Sequence, residues 1–406
     1  MALPTQEPLT QTDLLQNAAV EARARGLDRY VVVDSDFHQN EHNAWAEVLE
    51  FFDNDVVRDF FLAGGKDRAW IPGSVQNGIV QDVSGRILVQ RTLNKELAGA
   101  GSEREVQSIR RTMDMLGTDY TLLFPTELLH FGTNPLVELE APLARAYARW
   151  ITERILAREP RIVTLLHLPF NDPAASLELV ERYADTPGVV GFMVTSVRYR
   201  PVHDREYTKV YAAIQERDMV LGFHTAFHLY ERSMEQLNKF ISAHSLAFPH
   251  YQMVQLTNWV INGMPERFPG LKVLFVEGGL AFLPFLMERL DHEYRMRVSE
   301  APLLQRLPSE YMRDFYYTSQ PMESFTNPGY LQTTFEMINA RTQLLYASDW
   351  PHWDFDLPSR IVDLPFLDED ARRAILGGNA CRIFGLRPEV QKATSDARSA
   401  TAAQAG

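Results

Sequence analysis

Short β-branched or apolar runs recur along the chain, separated by polar loops and segments of helical period. Eight stand out: Tyr30 to Asp34, Tyr120 to Phe124, Ile162 to Leu166, Val189 to Val194, Met219 to Phe223, Val273 to Val276, Phe315 to Thr318 and Leu344 to Ala347. Most are followed by segments such as Ala141 to Arg158 and Ala174 to Tyr183, whose apolar positions repeat at helical spacing. This alternation is expected of parallel strands joined by crossover helices. Parallel strands buried on both faces read as continuous apolar runs, as several of these do. The pattern predicts an α/β fold, a distorted (β/α)₈ barrel.

Two intervals are too long for a simple crossover. About 85 residues separate the first two strands, including the aromatic, Gly-rich stretch Phe60 to Gly73. We expect a lid or cap insertion there, at about residues 40–117, with Phe60, Phe61, Trp70 and Ile71 forming an apolar lid or an insertion core. A second excursion, His228 to Trp259, follows the fifth strand. The block Asp368 to Leu386 predicts two closing helices interrupted at Gly377 and Gly378. One barrel domain is expected over residues 29–387. Residues 1–28 are expected as an N-terminal arm, loose from Met1 to Asn17, where no secretory-signal pattern appears. The Ala/Ser/Thr/Gln-rich tail, residues 388–406, is too poor in large apolar groups to bury itself and is expected to be disordered.

Composition narrows the function class. The chain has 406 residues, 45% of them apolar, with a net charge of −13 and a pI near 5.4. No Lys/Arg-rich run appears, and phosphate neutralisation needs a basic face, so a nucleic-acid partner is not expected. No window reaches the ~20 uninterrupted apolar residues needed to cross a bilayer, so no membrane partner is expected either. The single cysteine, Cys381, excludes an intrachain disulfide and a Cys-based zinc site. That usage suits a reducing, cytoplasmic compartment. Any metal must be held by His and carboxylate.

The first strand ends Val33-Asp34-Ser35-Asp36-Phe37-His38, so Asp34, Asp36 and His38 alternate along an extended segment and project to one face. Burying such a row is costly unless it is paired or binds a cation. A solvated loop beginning at Asp34 explains this segment about equally well. His224 closes the fifth run and Asp349 follows the eighth. A lone His at a strand end is more often a hydrogen-bonded core or loop residue than a ligand. Here the sites follow the first, fifth and eighth strands, which in a barrel point to the same mouth. Coincidence is the weaker reading.

Several stretches resemble one family. They are Val33 to His38; Phe275-Val276-Glu277-Gly278-Gly279 with the following Leu283 to Asp291; Ala347-Ser348-Asp349-Trp350-Pro351-His352; and Gly378 to Leu386. In order and spacing they resemble the amidohydrolase superfamily, in the branch holding aminocarboxymuconate-semialdehyde, γ-resorcylate and carboxyvanillate decarboxylases. The resemblance implies a TIM barrel and one divalent metal on Asp36, His38, His224 and Asp349. The family's first-strand pair is His-x-His or Glu-x-His, so Asp36 is a departure. Two imidazoles and two carboxylates should accept Mn²⁺ as readily as Zn²⁺, and Zn²⁺ is the first choice by a small margin. Many relatives carry His where this chain has Glu277, which could serve as general base, extra ligand or partner of a His. An ion pair with Arg at the barrel rim is the bland alternative.

Weaker candidates surround these. Arg198, after the fourth strand, could pair with a substrate carboxylate, and a solvated surface loop explains it as well. His352 and Trp350 suggest a supporting group or an aromatic wall beside Trp353. His167 could line the mouth, and His228 and His250 could enter it from the fifth-strand excursion, though exposed loop histidines are commoner. His42, His130, His203, His244 and His292 give no reason for choice.

The resemblance implies nonoxidative decarboxylation of a small aromatic or unsaturated acid. The metal would bind the carboxylate and an adjacent oxygen or activate water, and Asp349 or Glu277 would deliver the proton, with His224 at the same centre. The same barrel also runs hydrolysis of amides and lactones. A metal-free scaffold is the rival class, and retention of all four expected ligands argues against it. The expected partner is a small acidic or aromatic molecule, and the expected assembly is a homodimer or higher homo-oligomer.

Overall fold

The computed structural model describes residues 9–39, 41–63, 65, 87–88, 97, 99–134, 136–196, 200–226 and 231–387. Eight parallel strands follow one another around a barrel: β1 (Val33–His38), β2 (Tyr120–Phe124), β3 (Ile162–His167), β4 (Val189–Thr195), β5 (Val220–His224), β6 (Lys272–Val276), β7 (Tyr316–Thr318) and β8 (Leu344–Leu345). Each pairs with its neighbour in sequence, giving the unbroken order β8 to β1. Hydrogen bonds close the ring. Ser35 N donates to Tyr346 O at 2.9 Å, Asp349 N to Asp36 O at 2.7 Å and His38 N to Trp350 O at 2.7 Å. This is the (β/α)₈ barrel that the run pattern predicts.

Helices cover the outside. We label α1 (Gln11–Ala24), α2 (Gly101–Leu116), α3 (Glu140–Trp150), α4 (Pro173–Tyr183), α5 (Thr208–Glu216), α6 (Phe240–Ile261), α7 (Phe282–Met296), α8 (Pro328–Met337) and α9 (Asn379–Phe384). A large apolar layer lies between helices and strands, and a smaller cluster including Val33, Leu122, Leu165, Met193 and Leu274 fills the barrel. Inside, Leu165 fits against two glycines. A Cβ on Gly222 would meet Leu165 Cδ1 at 2.6 Å, and one on Gly191 would meet Leu165 Cδ2 at 2.6 Å and Val220 O at 2.3 Å. Because Val220 is held in the ladder opposite Gly191, the backbone cannot yield easily. We expect Gly191→Ala to cost about 3 kcal/mol, read as a lowered midpoint in thermal unfolding; an unchanged midpoint would show that β4 and β5 can part.

The excursion after the fifth strand is largely α6, a 22-residue helix. Two expectations need correction. The arm is not loose over 11–17: these residues open α1, which buries Leu15 and Ala18 and packs on α2, while residues 1–8 lie outside the described residues. The glycine interruption at 377–378 does not separate two helices; a π-helical turn, Ala374–Gly378, carries the chain into α9. A Cβ on Gly377 would meet Val31 O at 2.3 Å, so this glycine permits close approach to the chain entering β1.

Within the first insertion, Phe61 is fully buried, its ring 6.2 Å from Trp45 and 5.3 Å from Phe52. It serves an insertion core; Trp70 and Ile71 lie outside the described residues, as does the tail 388–406. Among the described residues no helix is long and apolar enough to cross a membrane.

Candidate metal centre

The strand ends bring Asp36, His38, His224 and Glu277 together, each offering a ligand atom within 4.8 Å of the others. Asp349 joins through His38, Oδ1 to Nε2 at 3.3 Å. Local structure explains the aim of each group. The register of β1 on β2 shifts between Asp34 and Phe37, and such bulges re-aim side chains beside active sites. Asp34, expected on the same face as Asp36 and His38, is instead tied to Ser348. Its Oδ1 accepts from Ser348 N at 2.8 Å and its Oδ2 from the Ser348 hydroxyl at 2.5 Å. Burial pushes Asp34 up to about 7. Its task is barrel closure.

The imidazoles are fixed by backbone. His38 Nδ1 lies 2.8 Å from Pro125 O, and His224 Nδ1 lies 2.8 Å from Thr225 O. A carbonyl can only accept, so each Nδ1 carries the proton and each Nε2 a lone pair. Both Nε2 atoms then face Asp36 Oδ1, at 3.2 and 3.3 Å. A lone pair facing a carboxylate is repulsive unless a proton or cation stands between them. Burial, aided by His352, pushes His38 down to about 4, so this ring is neutral at ordinary pH. No donor reaches Asp36 Oδ2 or Asp349 Oδ2, both buried. These orphaned acceptors and lone pairs fit a divalent cation, and mixed His/carboxylate donors are what such an ion requires.

Glu277 and Asp349 both have φ near +60°, a left-handed conformation that non-glycine residues adopt sparingly and that clusters at functional sites. Glu277 N donates to Thr318 Oγ1 at 2.9 Å, and the Asp349 amide is held by Asp36 O. The turned backbones aim two carboxyls into one buried space. Burial first, then Asp349 and Asp36, raises Glu277 well above the carboxylate range; burial, then Asp36 and Asp354, does the same to Asp349. The raised carboxyls should therefore hold protons in the cation-free protein at neutral pH, and cation binding at Asp349 should release about one of them while Glu277 keeps its own. Titration calorimetry in buffers of different ionisation enthalpy reads this directly, and buffer-independent heats would contradict it.

Residues 112–386 match the sequence model of the amidohydrolase family. The chain belongs to that family. Among curated relatives, this amidohydrolase is 21% identical to the 2-amino-3-carboxymuconate-6-semialdehyde decarboxylase of Dictyostelium discoideum, over 58% of this chain and 64% of that protein. It is 23% identical to the γ-resorcylate decarboxylase of a Rhizobium species, over 60% of this chain and 76% of that protein. The matches thus span less than two thirds of the first of these relatives and about three quarters of the second. Among solved structures, a dihydroxybenzoic acid decarboxylase from a Polaromonas species, with bound manganese and 2-nitroresorcinol, superposes with a TM-score of 0.61 at 18% identity. That alignment covers 88% of this chain and 97% of the other.

The remaining sequence candidates separate. His167, at the end of β3, is buried beside the centre; burial, with a contribution from His224, pushes it down to about 3. His352 holds Asp349, Nδ1 to Oδ1 at 2.6 Å, with its ring 4.3 Å from that of His38. Trp350 is buried against Phe355 and its backbone bridges β1, and Trp353, 43% exposed, sets its ring against Phe240 and His244. His250 is half-buried on α6 with its ring against Tyr251 and is not part of the cluster. Arg198 and His228 lie outside the described residues. Glu277 is 3% exposed, and among the described residues no arginine pairs with it. Sequence reasoning missed Ser348, Thr318 and His244. For His244 a signal existed, since Phe240, His244 and Phe248 recur at four-residue spacing on one helix face.

Proposed function

We propose that this amidohydrolase is a nonoxidative decarboxylase of a small hydroxylated aromatic or unsaturated acid. The observation that carries the reading is the pair of buried carboxyls, Glu277 and Asp349, turned toward each other beside the cluster of Asp36, His38 and His224. Burial, with the charge of Asp349 beside it, lets Glu277 hold its proton well above the ordinary carboxylate range. A lyase of this kind needs such an acid within reach of the substrate carbon. The names of the relatives support the same reading.

A bound divalent cation would supply Lewis acidity to the substrate's carboxylate and neighbouring oxygen. The protein does the rest. The Pro125 and Thr225 carbonyls keep the His38 and His224 lone pairs facing inward. Glu277, with Asp349, gives its proton to the ring carbon that bears the carboxylate. The carbon–carbon bond then breaks, its electron pair returns to the ring, and CO₂ leaves. Atoms balance as acid anion plus proton to arene plus CO₂, without an oxidant.

The orphaned carboxylate oxygens of Asp36 and Asp349 beside two imidazole nitrogens leave a hard donor set. We therefore infer Mn²⁺ ahead of the Zn²⁺ first expected; metal analysis of protein purified without added metal decides it. Cytoplasmic location and a homo-oligomer remain parts of this proposal, and Arg198 remains its candidate for the substrate carboxylate. The test of function is CO₂ release from a carboxylated phenol with no oxidant or nicotinamide present. Cleavage of an amide or lactone with uptake of solvent ¹⁸O, and no CO₂, would replace this reading with hydrolysis.

A further inference from the structure

The barrel rim carries a polar pair that the reaction above does not use. His244, on α6, lies among aromatic rings, with centroids 5.3 Å from Phe240, 4.4 Å from Phe248 and 5.2 Å from Trp353. Its side chain is 13% exposed, and its Nε2 stands 3.8 Å from Asp354 Oδ2, too far for a hydrogen bond. Asp354 Oδ1 is buried without a hydrogen-bond partner, and the neighbouring Gln320 amide, which donates to the Asp354 carbonyl at 3.3 Å, also favours the ionised carboxylate. His244 Nε2 and the Asp354 carboxylate therefore face each other beside aromatic rings without a direct hydrogen bond. A buried acceptor such as Asp354 Oδ1 is costly to leave unanswered.

Their place is the outer side of the same centre, since Asp354 follows His352, the partner of Asp349, by two residues. His352, which grips Asp349, feels the charge of Asp354, and His244 in turn feels His352. Exposure rises outward from 0% for the His38 and Asp349 side chains to 20% for His352 and 43% for Trp353. We propose that His244 and Asp354 form a hydroxyl-binding subsite, which selects aromatic acids carrying a ring hydroxyl remote from the carboxylate. The inference rests on the reading of the centre as an anchor for an aromatic acid.

Chemistry singles out the hydroxyl. Its oxygen accepts from His244 Nε2–H while its hydrogen goes to Asp354. The 3.8 Å gap admits one oxygen within reach of both. A second carboxylate would be repelled by Asp354, and an ammonium group has no acceptor for the imidazole N–H. The aromatic rings alongside suit the flat face of the substrate.

The test measures binding to the Mn²⁺-loaded protein by titration calorimetry, comparing salicylate with gentisate and β-resorcylate, which add one ring hydroxyl each. We expect at least one of the dihydroxy acids to bind about tenfold tighter than salicylate. In His244→Phe and in Asp354→Asn that preference should fall below about twofold, with metal content and circular dichroism unchanged. The proposal is overturned if the wild type shows no preference, if either folded variant keeps it, or if all three acids weaken equally. A lasting preference in the variants would mean that bound water, not substrate, joins the pair. Binding discrimination without CO₂ evolution sinks the decarboxylase reading alone. If no acid binds the loaded protein, both fall.

Discussion

Replacing His224 with alanine is expected to strip the centre of its metal and to lower turnover by at least about 10³-fold, which corresponds to roughly 4 kcal/mol of barrel-mouth chemistry. The geometry gives His224 little redundancy. Its Nε2 is one of two imidazole lone pairs that face Asp36 Oδ1, and its Nδ1 is committed to Thr225 O. Losing the ring removes a nitrogen donor and leaves Asp36, Glu277 and Asp349 with less to offset their mutual repulsion, so the carboxyls take up protons instead of cation. The barrel should survive, since β5 is held by its ladder to β4 and β6. Asp349→Ala should also lose metal, since Asp349 meets the cluster at both His38 and Glu277. Metal content by mass spectrometry, alongside circular dichroism, reads both variants. A folded His224→Ala protein with near-wild-type metal would remove His224 from the ligand set.

Glu277→Gln is expected to retain metal and shape and to lose at least about 10²-fold in kcat, the scale of general acid–base catalysis. Glutamine keeps the volume of Glu277 and can still meet Asp349, but it has no proton to give. The buried position and the left-handed backbone at Glu277 make an isosteric change the cleanest one. Loss of metal in this variant would make Glu277 a ligand, which its distance of 3.6 Å from His224 Nδ1 and its place in the cluster allow. An unchanged kcat with full metal would sink the catalytic assignment.

Much of this was legible from residues alone, because period and burial are local properties. Eight apolar runs with helical segments between them give a parallel barrel, and the order of strand ends places residues 36, 38, 224, 277 and 349 at one mouth. The register of strands cannot be read this way. Alternation places Asp34 with Asp36 and His38, yet the shift in β1 sends Asp34 to Ser348, because a single extra residue changes which face a side chain takes. The aromatics of the insertion leave a lid and an insertion core equally open in sequence, and it is the contact of Phe61 with Trp45 and Phe52 that makes Phe61 core.

Sequence by itself determined the fold class, the absence of a cysteine metal site and the kinds of donor available. Tertiary structure decided which donors meet and in what state. Only the Pro125 and Thr225 carbonyls select the tautomers of His38 and His224. Only two left-handed backbone turns bring Glu277 against Asp349, and only the packing of α6 onto the eighth-strand loop sets His244 opposite Asp354. The physical reason is that tautomer, retained protons and unanswered polar groups depend on atoms a few ångströms apart in space but, as with Asp36 and His224, 188 residues apart in the chain.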